Sequence, residues 1–274
     1  MENHTLRDGN PIPPLGLGTY PMNNIDAEVT VAEAIARGYR LIDTAVNYQN
    51  EAGVGKGVLR SGIKRDELFV QSKLPGRDHG YKQAMRSLEG TLERMGLDYL
   101  DAYLIHWPNP SQGLYVDTWR ALIKMQEEGT VRSIGVSNFL PEHIDRLIEE
   151  TGVTPAINQI ELHPYSQKTD WASYNTNHAI VTQCWSPLGR KTDLLGDATL
   201  AGIAEKLGKT PAQVILRWEV QKNYLPIPKS SHVKRLEENL DVFAWELTAE
   251  QMAAVDALEA GVGRGFDPNT HEEM

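Results

Sequence analysis

Cysteine is nearly absent from this chain: Cys184 is the single one among 274 residues. An intrachain disulfide and a cysteine-based zinc cluster are therefore excluded. No run of about 18 consecutive apolar residues occurs, so no membrane-spanning segment is expected. The first ten residues, MENHTLRDGN, are polar and lack the apolar core of a signal peptide. Together these absences predict a soluble protein of the cytoplasm.

Basic residues are outnumbered by acidic ones. Lys and Arg total 27 against 37 for Asp and Glu, and the formal net charge is −10 at pH 7. That balance disfavours sequence-independent nucleic-acid binding, which requires a basic face. It leaves room for a locally basic pocket that binds a small anion. With 41% hydrophobic and 23% charged residues, the chain has the composition of a globular protein with a large core.

Short apolar runs, each ending in polar, glycine or proline residues, recur along the chain. They lie at 15–19, 39–43, 68–73, 99–106, 131–137, 156–161, 180–185 and 224–228. Segments with helical spacing separate most of them, for example 26–38, 80–96 and 116–129. Strands that alternate with helices indicate parallel βαβ units, and about eight such units close a barrel. The competing layout, a doubly wound open sheet, would require a three-glycine fingerprint that GLGTY does not supply.

We therefore predict an α/β fold, a (β/α)₈ TIM barrel, in one domain that spans residues 1–274. Asp8-Gly9 lies between two short segments and predicts an N-terminal β-hairpin. Two helical segments, 232–243 and 248–260, follow the last strand. One completes the outer ring, and the other is an appended helix that precedes a C-terminal tail from Val262 onward.

Polar and aromatic residues stand at most of the predicted strand ends. They are Asp43, Lys73, His106, Ser137, Asn138, Gln159, Trp185 and Lys229. In barrels of this kind the chemistry lies at the carboxyl ends of the strands. A purely structural rim would not need so many groups that donate or accept hydrogen bonds, ionise or stack on a ring.

Asp43, Tyr48, Lys73 and His106 together form a coherent proton-delivery set. An ammonium near a phenol stabilises the phenolate, so we expect Lys73 to lower the pKa of Tyr48. A buried lysine needs a compensating carboxylate, which Asp43 supplies. A histidine can orient a substrate carbonyl. Taken singly, each residue also fits an ordinary role. Asp43 could be a helix or turn cap and Tyr48 a loop aromatic, while Lys73 could be a solvated strand end. His106 could be a buried histidine whose hydrogen bonds are satisfied.

A series of short motifs runs through the chain: GLGTY, LIDTAVNYQNE, SKLPGR, LIHWPNP, IGVSNF, NQIELHP, WSPLGR and IPKS with RLEENLDVF. In this order they resemble the aldo-keto reductase family over nearly the whole chain. Within the family, SKLPGRDHG, IHWPNPS and the ending DPNTHEEM are most similar to bacterial 2,5-diketo-D-gluconate reductases. The resemblance implies a (β/α)₈ barrel that binds a nicotinamide dinucleotide in extended form, in a family where monomers are common.

The resemblance also implies roles for individual residues. Tyr48 would be the proton donor of a tetrad with Asp43, Lys73 and His106. Ser137, Asn138 and Gln159 would hold the nicotinamide carboxamide, and Trp185 would stack on the ring. The remaining implied cofactor positions are Gly18, Thr19, Asp43, Ser186, Pro187, Leu188, Gly189, Arg190, Ile227, Pro228, Lys229, Ser230, Ser231, Arg235, Glu238 and Asn239.

The segment KSSHVKRLEEN carries the implied preference for NADPH. Lys229, Ser230 and Arg235 would bind the adenosine 2′-phosphate, because cations and hydroxyls suit a phosphate dianion. The alternative is a helix start with a solvated basic turn. His232 stands where close relatives often carry another arginine, and histidine is mostly neutral at pH 7. We expect NADPH to be preferred, with some use of NADH.

The substrate pocket is expected to include Tyr20, Tyr48, His106, Trp107 and the loop 108–117. Arg264 or Lys191 is a candidate contact for an anionic substrate such as a keto acid. GVGKG at 53–57 resembles a phosphate loop, but its spacing is that of neither known type, and we expect it to let a helix pack closely. His79, His163 and His178 have no metal-ligand spacing, so no metal site is predicted.

These patterns predict an NADPH-dependent oxidoreductase that reduces a small-molecule carbonyl to an alcohol. Two alternatives remain at this stage. A Schiff-base aldolase would use Lys73 as its nucleophile and would not need the nicotinamide-binding set. A reductase-like barrel retained as a regulatory or structural protein would bind the cofactor without turnover.

Overall fold

The computed structural model describes residues 3–274. The chain begins with a β-hairpin in which β1 (His4–Thr5) pairs with β2 (Pro11–Ile12) in antiparallel fashion. Its turn passes through Gly9, whose φ of 86° lies in the left-handed region that glycine adopts without cost. The hairpin predicted from Asp8-Gly9 is therefore present.

Within residues 3–274, eight parallel strands form one sheet in sequential order. The strands are β3 (Gly16–Gly18), β4 (Leu41–Asp43), β5 (Phe69–Leu74), β6 (Leu100–Ile105), β7 (Val131–Ser137), β8 (Ile157–Glu161), β9 (Val181–Trp185) and β10 (Leu225–Pro226). The Gly18 amide donates to the Pro228 carbonyl at 3.1 Å, which links the first strand to the segment after the last. This closure confirms the predicted (β/α)₈ barrel.

Helices surround the barrel in the predicted alternation. They are α1 (Asn24–Ala36), α2 (Glu51–Arg60), α3 (Tyr81–Met95), α4 (Tyr115–Glu127), α5 (Pro141–Thr151), α6 (Thr169–Asn177), α7 (Ala198–Leu207), α8 (Pro211–Gln221), α9 (Val233–Leu240) and α10 (Ala249–Asp256). Helix α9 packs against α8 and α1 and completes the ring, whereas α10 packs on α7 and α8 as the appended helix. None of the helices in residues 3–274 has the length and apolar character needed to span a bilayer.

The hairpin closes the amino-terminal end of the barrel. Leu6 and Ile12 are buried against the first residues of three strands, Leu41, Phe69 and Leu225. Apolar side chains thus fill this end of the lumen, and burial of their surface stabilises the barrel. The polar residues of the lumen, among them Asp43 and Gln159, lie toward the opposite, carboxyl-terminal end.

The GVGKG segment lies inside α2 and serves close helix packing, as predicted. A Cβ on Gly53 would lie 2.1 Å from the Asn24 carbonyl oxygen, and one on Gly55 would lie 1.9 Å from the Met95 carbonyl oxygen. Both distances are far below van der Waals contact, and both neighbours are backbone atoms that cannot rotate away. These glycines allow α2 to contact α1 and the end of α3 directly.

Replacement of Gly55 by alanine is expected to lower the free energy of unfolding by about 1–3 kcal/mol, the usual cost of overpacking. Gly202→Ala in α7 is the matched control, because an added Cβ there meets no atom within 4 Å. That control is expected to be neutral or slightly stabilising. Urea unfolding followed by circular dichroism measures both. Equal stability of the two variants would contradict the packing role.

Candidate active site

A cavity of about 530 Å³ opens at the carboxyl ends of the barrel strands. Most of the residues singled out from the sequence line it: Gly18, Tyr20, Asp43, Tyr48, His106, Trp107, Ser137, Asn138, Gln159, Trp185, Ser186, Pro187, Leu188, Arg190, Ile227, Pro228 and Lys229. Lys73 lies beneath the cavity floor. The wall also contains Asn47, Arg264, Phe266, His271 and Glu273.

Lys73 and Asp43 form a buried ion pair under this floor. The Lys73 side chain is completely buried, and its Nζ lies 2.7 Å from Oδ1 of Asp43. Nζ donates to Asp43 Oδ2 at 2.9 Å, to the Thr44 carbonyl at 2.8 Å and to the Tyr48 hydroxyl oxygen at 3.3 Å. Three donated bonds match the three hydrogens of an ammonium. The phenol oxygen of Tyr48 accepts from Lys73, so its own hydrogen is free to face the cavity.

A buried polar anchor holds Tyr48 in position. Tyr48 ends a short 3₁₀ turn, Val46–Tyr48, which Gln49 terminates with a φ of 55°. The next residue, Asn50, is fully buried and donates to the carbonyls of Thr19 (3.2 Å) and Met22 (3.0 Å). Its Oδ1 accepts from the Thr44 hydroxyl at 2.6 Å. Asn50 therefore ties the turn to the strand ends on either side of it.

The pKa of Tyr48 lies well above its ordinary value of 10.0, contrary to the expectation that Lys73 lowers it. Burial is the main cause, and the negative charges of Asp43 and Glu273 add to it. Burial likewise lowers the pKa of Lys73, although the adjacent Asp43 opposes this shift. The expectation failed because it weighed the ammonium without the desolvation and the two carboxylates. Tyr48 accordingly carries its proton at neutral pH.

His106 faces a carboxylate from the far end of the chain. Its Nδ1 lies 2.8 Å from Oε1 of Glu273. Despite this short distance, Nδ1 has no aligned hydrogen-bond partner among the described residues. Burial alone would raise the pKa of Glu273, but His106, Asn47 and the Gly76 amide outweigh it and lower that pKa.

Three loops hold the C-terminal tail against His106. Asn109 donates its amide to the Glu273 carbonyl and accepts from the Glu273 backbone N–H at 3.2 Å. Asn47 donates to the Met274 carbonyl at 2.9 Å and to the Glu273 carboxylate. The Gly76 amide donates to Glu273 Oε2 at 3.3 Å. Loop 108–117 was expected at the substrate mouth, but it lies behind the tail and forms hydrogen bonds with it. Tyr20 and Trp107 line the cavity, as expected.

The nicotinamide-binding candidates form one connected polar wall. Asn138 donates to the His106 carbonyl at 3.1 Å and to the Ser137 hydroxyl at 3.0 Å, and its Oδ1 accepts from the Trp185 indole at 2.8 Å. The Ser137 hydroxyl donates to the backbone carbonyl of Gln159 at 2.8 Å. These bonds fix the plane of the Trp185 indole in the cavity wall. The wall can present both an aromatic face and amide groups to a flat heteroaromatic ligand.

Two further segments continue the cavity outward. Ser186, Pro187, Leu188 and Arg190 line one side, and Gly189, with a φ of 63°, lies behind them. On the other side Lys229 lines the cavity, and exposed Ser231, His232 and Arg235 follow it beyond the rim. Arg235 makes no ion pair within the described chain, so its guanidinium is available to an anion.

The remaining candidates have structural partners. Buried Thr19 donates to the Asp43 carbonyl at 3.0 Å. Ser230 accepts from the His232 amide at 3.1 Å, and Glu238 lies 3.8 Å from Lys234. Asn239 is buried in α9. The structure thus gathers the tetrad and the carboxamide candidates around one cavity, whereas Ser230, Ser231, Arg235, Glu238 and Asn239 lie outside its wall.

Several site residues escaped the sequence reasoning. Gln71 could have been found from the sequence, because it lies two residues before Lys73 and its side chain therefore points to the same face of the strand. Gln183 stands two residues before Trp185 in the same way. No sequence pattern pointed to Asn47 and Glu273, since only the folded tail brings them beside His106. His163 is fully buried, and its backbone pairs with that of Ser166.

A parallel barrel with a polar carboxyl-terminal mouth, above the buried Lys73–Asp43 pair and Tyr48, is the arrangement typical of a barrel enzyme. A model of the Aldo/keto reductase family matches residues 14–260. The chain belongs to this family.

Individual relatives agree over nearly full length. The chain is 51% identical to 2,5-diketo-D-gluconic acid reductase B from Corynebacterium sp. (strain SHS752001), covering 98% of each protein. It is 42% identical to methylglyoxal reductase DkgA from Escherichia coli (strain K12), covering 96% of each. Among solved structures, a mutant of Gox0644 in complex with NADPH superposes with a TM-score of 0.94 at 43% identity, covering 98% of each chain.

Gly76→Ala is expected to release the C-terminal tail. An added Cβ would lie 1.9 Å from the Glu273 carbonyl oxygen and 2.0 Å from Asn109 Nδ2. Carboxypeptidase should then remove the last residues several times faster than from the parent protein, as followed by mass spectrometry. Gly196→Ala is the control, because its Cβ would meet no neighbour within 4 Å. Equal trimming rates in all three proteins would contradict the described docking.

Proposed function

We propose that this protein is an NADPH-dependent reductase that converts small aldehydes, ketones, keto sugars or keto acids to alcohols, with Tyr48 as the proton donor. The observation that carries the proposal is the stack of Asp43, Lys73 and Tyr48 at the cavity floor. The hydroxyl of Tyr48 accepts from a buried ammonium and has its own hydrogen free on the cavity side. Family membership and the NADPH complex of a solved relative support it further.

The residues present suit a nicotinamide dinucleotide. Gln159 lines the cavity with a side-chain carbonyl oxygen that has no hydrogen-bond partner in the described chain, as a carboxamide would require. Trp185 presents an indole fixed by Asn138. Lys229 and Arg235 supply exposed cations for a 2′-phosphate. When bound, this cofactor supplies the hydride that the carbonyl carbon accepts.

The chain's own residues would then act on the carbonyl oxygen. His106 orients it, and Tyr48 gives it a proton as negative charge develops there. Lys73 stabilises the phenolate that remains, and Asp43 offsets the charge of the ammonium in its buried position. Trp107 and Phe266, whose rings lie 5.7 Å apart edge to face, shield one side of the substrate space from water.

The names of two relatives support the choice of carbonyl substrates. One is named for 2,5-diketo-D-gluconic acid and the other for methylglyoxal. For this chain we propose 2,5-diketo-D-gluconate or a similar keto acid, because Arg264 lines the cavity and forms no ion pair within the described residues. Its guanidinium, which lies 5.3 Å from the centre of the Phe266 ring, is a contact for the substrate carboxylate.

A Schiff-base aldolase finds less support. Lys73 is completely buried, is absent from the cavity wall and already donates to three oxygens. A nucleophilic lysine must reach its substrate with a free amine. The other alternative is a barrel that binds NADPH without turnover. An assay distinguishes it from a reductase, because such a protein would bind NADPH but would not oxidise it with any carbonyl compound.

Tyr48→Phe keeps the ring and removes the proton. Turnover is expected to fall by about 10²–10⁴-fold, the usual contribution of a positioned general acid. Affinity for NADPH, measured by fluorescence quenching, should stay unchanged. Tyr81→Phe, at an exposed tyrosine outside the site, is the matched control. A Tyr48→Phe enzyme that oxidises NADPH at nearly the parent rate would end this mechanism.

Arg235→Ala tests the 2′-phosphate contact. Loss of one hydrogen bond to a charged group corresponds to about tenfold to a hundredfold in kcat/KM with NADPH. Values with NADH should change little. Lys234→Ala removes the neighbouring cation, which lies 3.8 Å from Glu238, and serves as the control. Equal kcat/KM for both cofactors in the parent enzyme would remove the claim of NADPH preference.

A further inference from the structure

Two glutamines donate to the Asp43 carboxylate inside the barrel, and a third is hydrogen-bonded to both of them. Asp43 on β4 is the register partner of Gln71 on β5, and Gln159 on β8 is the register partner of Gln183 on β9. The two pairs meet across the lumen. All three glutamines and Asp43 are less than 5% exposed. Amides in an apolar interior are costly unless every group finds a partner, so this cluster needs a physical reason.

Hydrogen bonds of 2.6–3.0 Å join the four side chains in one ring. Asp43 Oδ1 accepts from Gln71 Nε2 at 2.6 Å and from Gln159 Nε2 at 3.0 Å. Gln183 Oε1 accepts from the same two nitrogens, at 2.9 Å from Gln71 and 3.0 Å from Gln159. Gln183 Nε2 donates back to Gln71 Oε1 at 3.0 Å.

The chemistry of the carboxylate determines which way each amide points. An ionised carboxylate only accepts, so Gln71 and Gln159 must both turn their NH₂ groups toward Asp43. Their second hydrogens then converge on one atom, which must be the oxygen of Gln183. The NH₂ of Gln183 is left for Gln71. The side-chain oxygen of Gln159 is the one acceptor of the ring without a partner in the described chain, and Gln159 lines the cavity.

We propose that Gln71 and Gln183 are positioning residues of the reductase site. Gln183 locks the Gln159 amide so that its oxygen faces the nicotinamide end of the cavity, and Gln71 holds the Asp43 carboxylate in place against Lys73. This assignment rests on the proposed function. Neither glutamine lines the cavity. Each therefore acts through a residue that does.

The assignment predicts that loss of Gln183 weakens the binding of one ligand, NADPH, and leaves the binding of a fragment of it unchanged. In Gln183→Met, which keeps the length of the side chain and removes its polar groups, Gln159 loses the acceptor that fixes its amide. The Kd of NADPH should rise about tenfold, the equivalent of one hydrogen bond. The Kd of 2′-phospho-ADP-ribose, which lacks the nicotinamide, should not change. Unchanged binding of this fragment also shows that the variant is folded.

Gln71→Met is expected to act on turnover instead. Asp43 loses its 2.6 Å donor, so kcat should fall about tenfold while the Kd values of both ligands stay near those of the parent. Gln213→Met, at a buried glutamine of α8 that donates to the Asp241 carbonyl, is the matched control for loss of a buried amide.

A readout without cofactor or substrate separates this inference from the proposed function. The side-chain NH₂ protons of Gln159, assigned in the ¹⁵N spectrum by their loss in Gln159→Met, should exchange slowly in the parent and much faster in Gln183→Met. Equal exchange in the two proteins, or equal weakening of NADPH and the fragment, would overturn the positioning role. A parent protein that reduces no carbonyl would overturn the proposed function, while the exchange measurement would still decide the glutamine ring.

Discussion

The buried ion pair between Lys73 and Asp43 is the interaction on which the rest of the site depends. An ammonium with a completely buried side chain is tolerated only if opposite charge and hydrogen bonds replace its hydration. Asp43 at 2.7 Å supplies the charge, and the Thr44 carbonyl with the phenol of Tyr48 completes the set of acceptors. The bonds that stabilise the buried lysine also hold the phenol of Tyr48 at the cavity wall.

This pair places demands on the lumen around it. A carboxylate that faces an apolar barrel needs donors on its remaining lone pairs, and Gln71 and Gln159 provide them. The lumen is accordingly divided. Leu6, Ile12 and their apolar neighbours fill the end beneath the hairpin, and the polar ring fills the end beneath the cavity. Apolar packing and the polar cavity thus occupy opposite ends of the same barrel.

The C-terminal tail adds a second carboxylate to the site. Glu273 lies against His106, and its charge is one of the causes that raise the pKa of Tyr48. Its position depends on Gly76 and Asn109, which belong to two different loops after β5 and β6. The cavity walls are therefore formed by segments far apart in the sequence, and a change in the tail directly affects His106 and Tyr48.

Local patterns along the chain were enough to predict the barrel, its hairpin and the residues at the strand ends, because apolar periodicity and strand termini are encoded locally. They also identified GVGKG as a packing device. The direction of the Tyr48 pKa shift required the tertiary structure, because it is a balance of burial and charge that no spacing reveals. The glutamine ring and the docking of Glu273 likewise depend on which strands and loops meet in space. The sequence determined which groups were available, and the fold determined which of them touch.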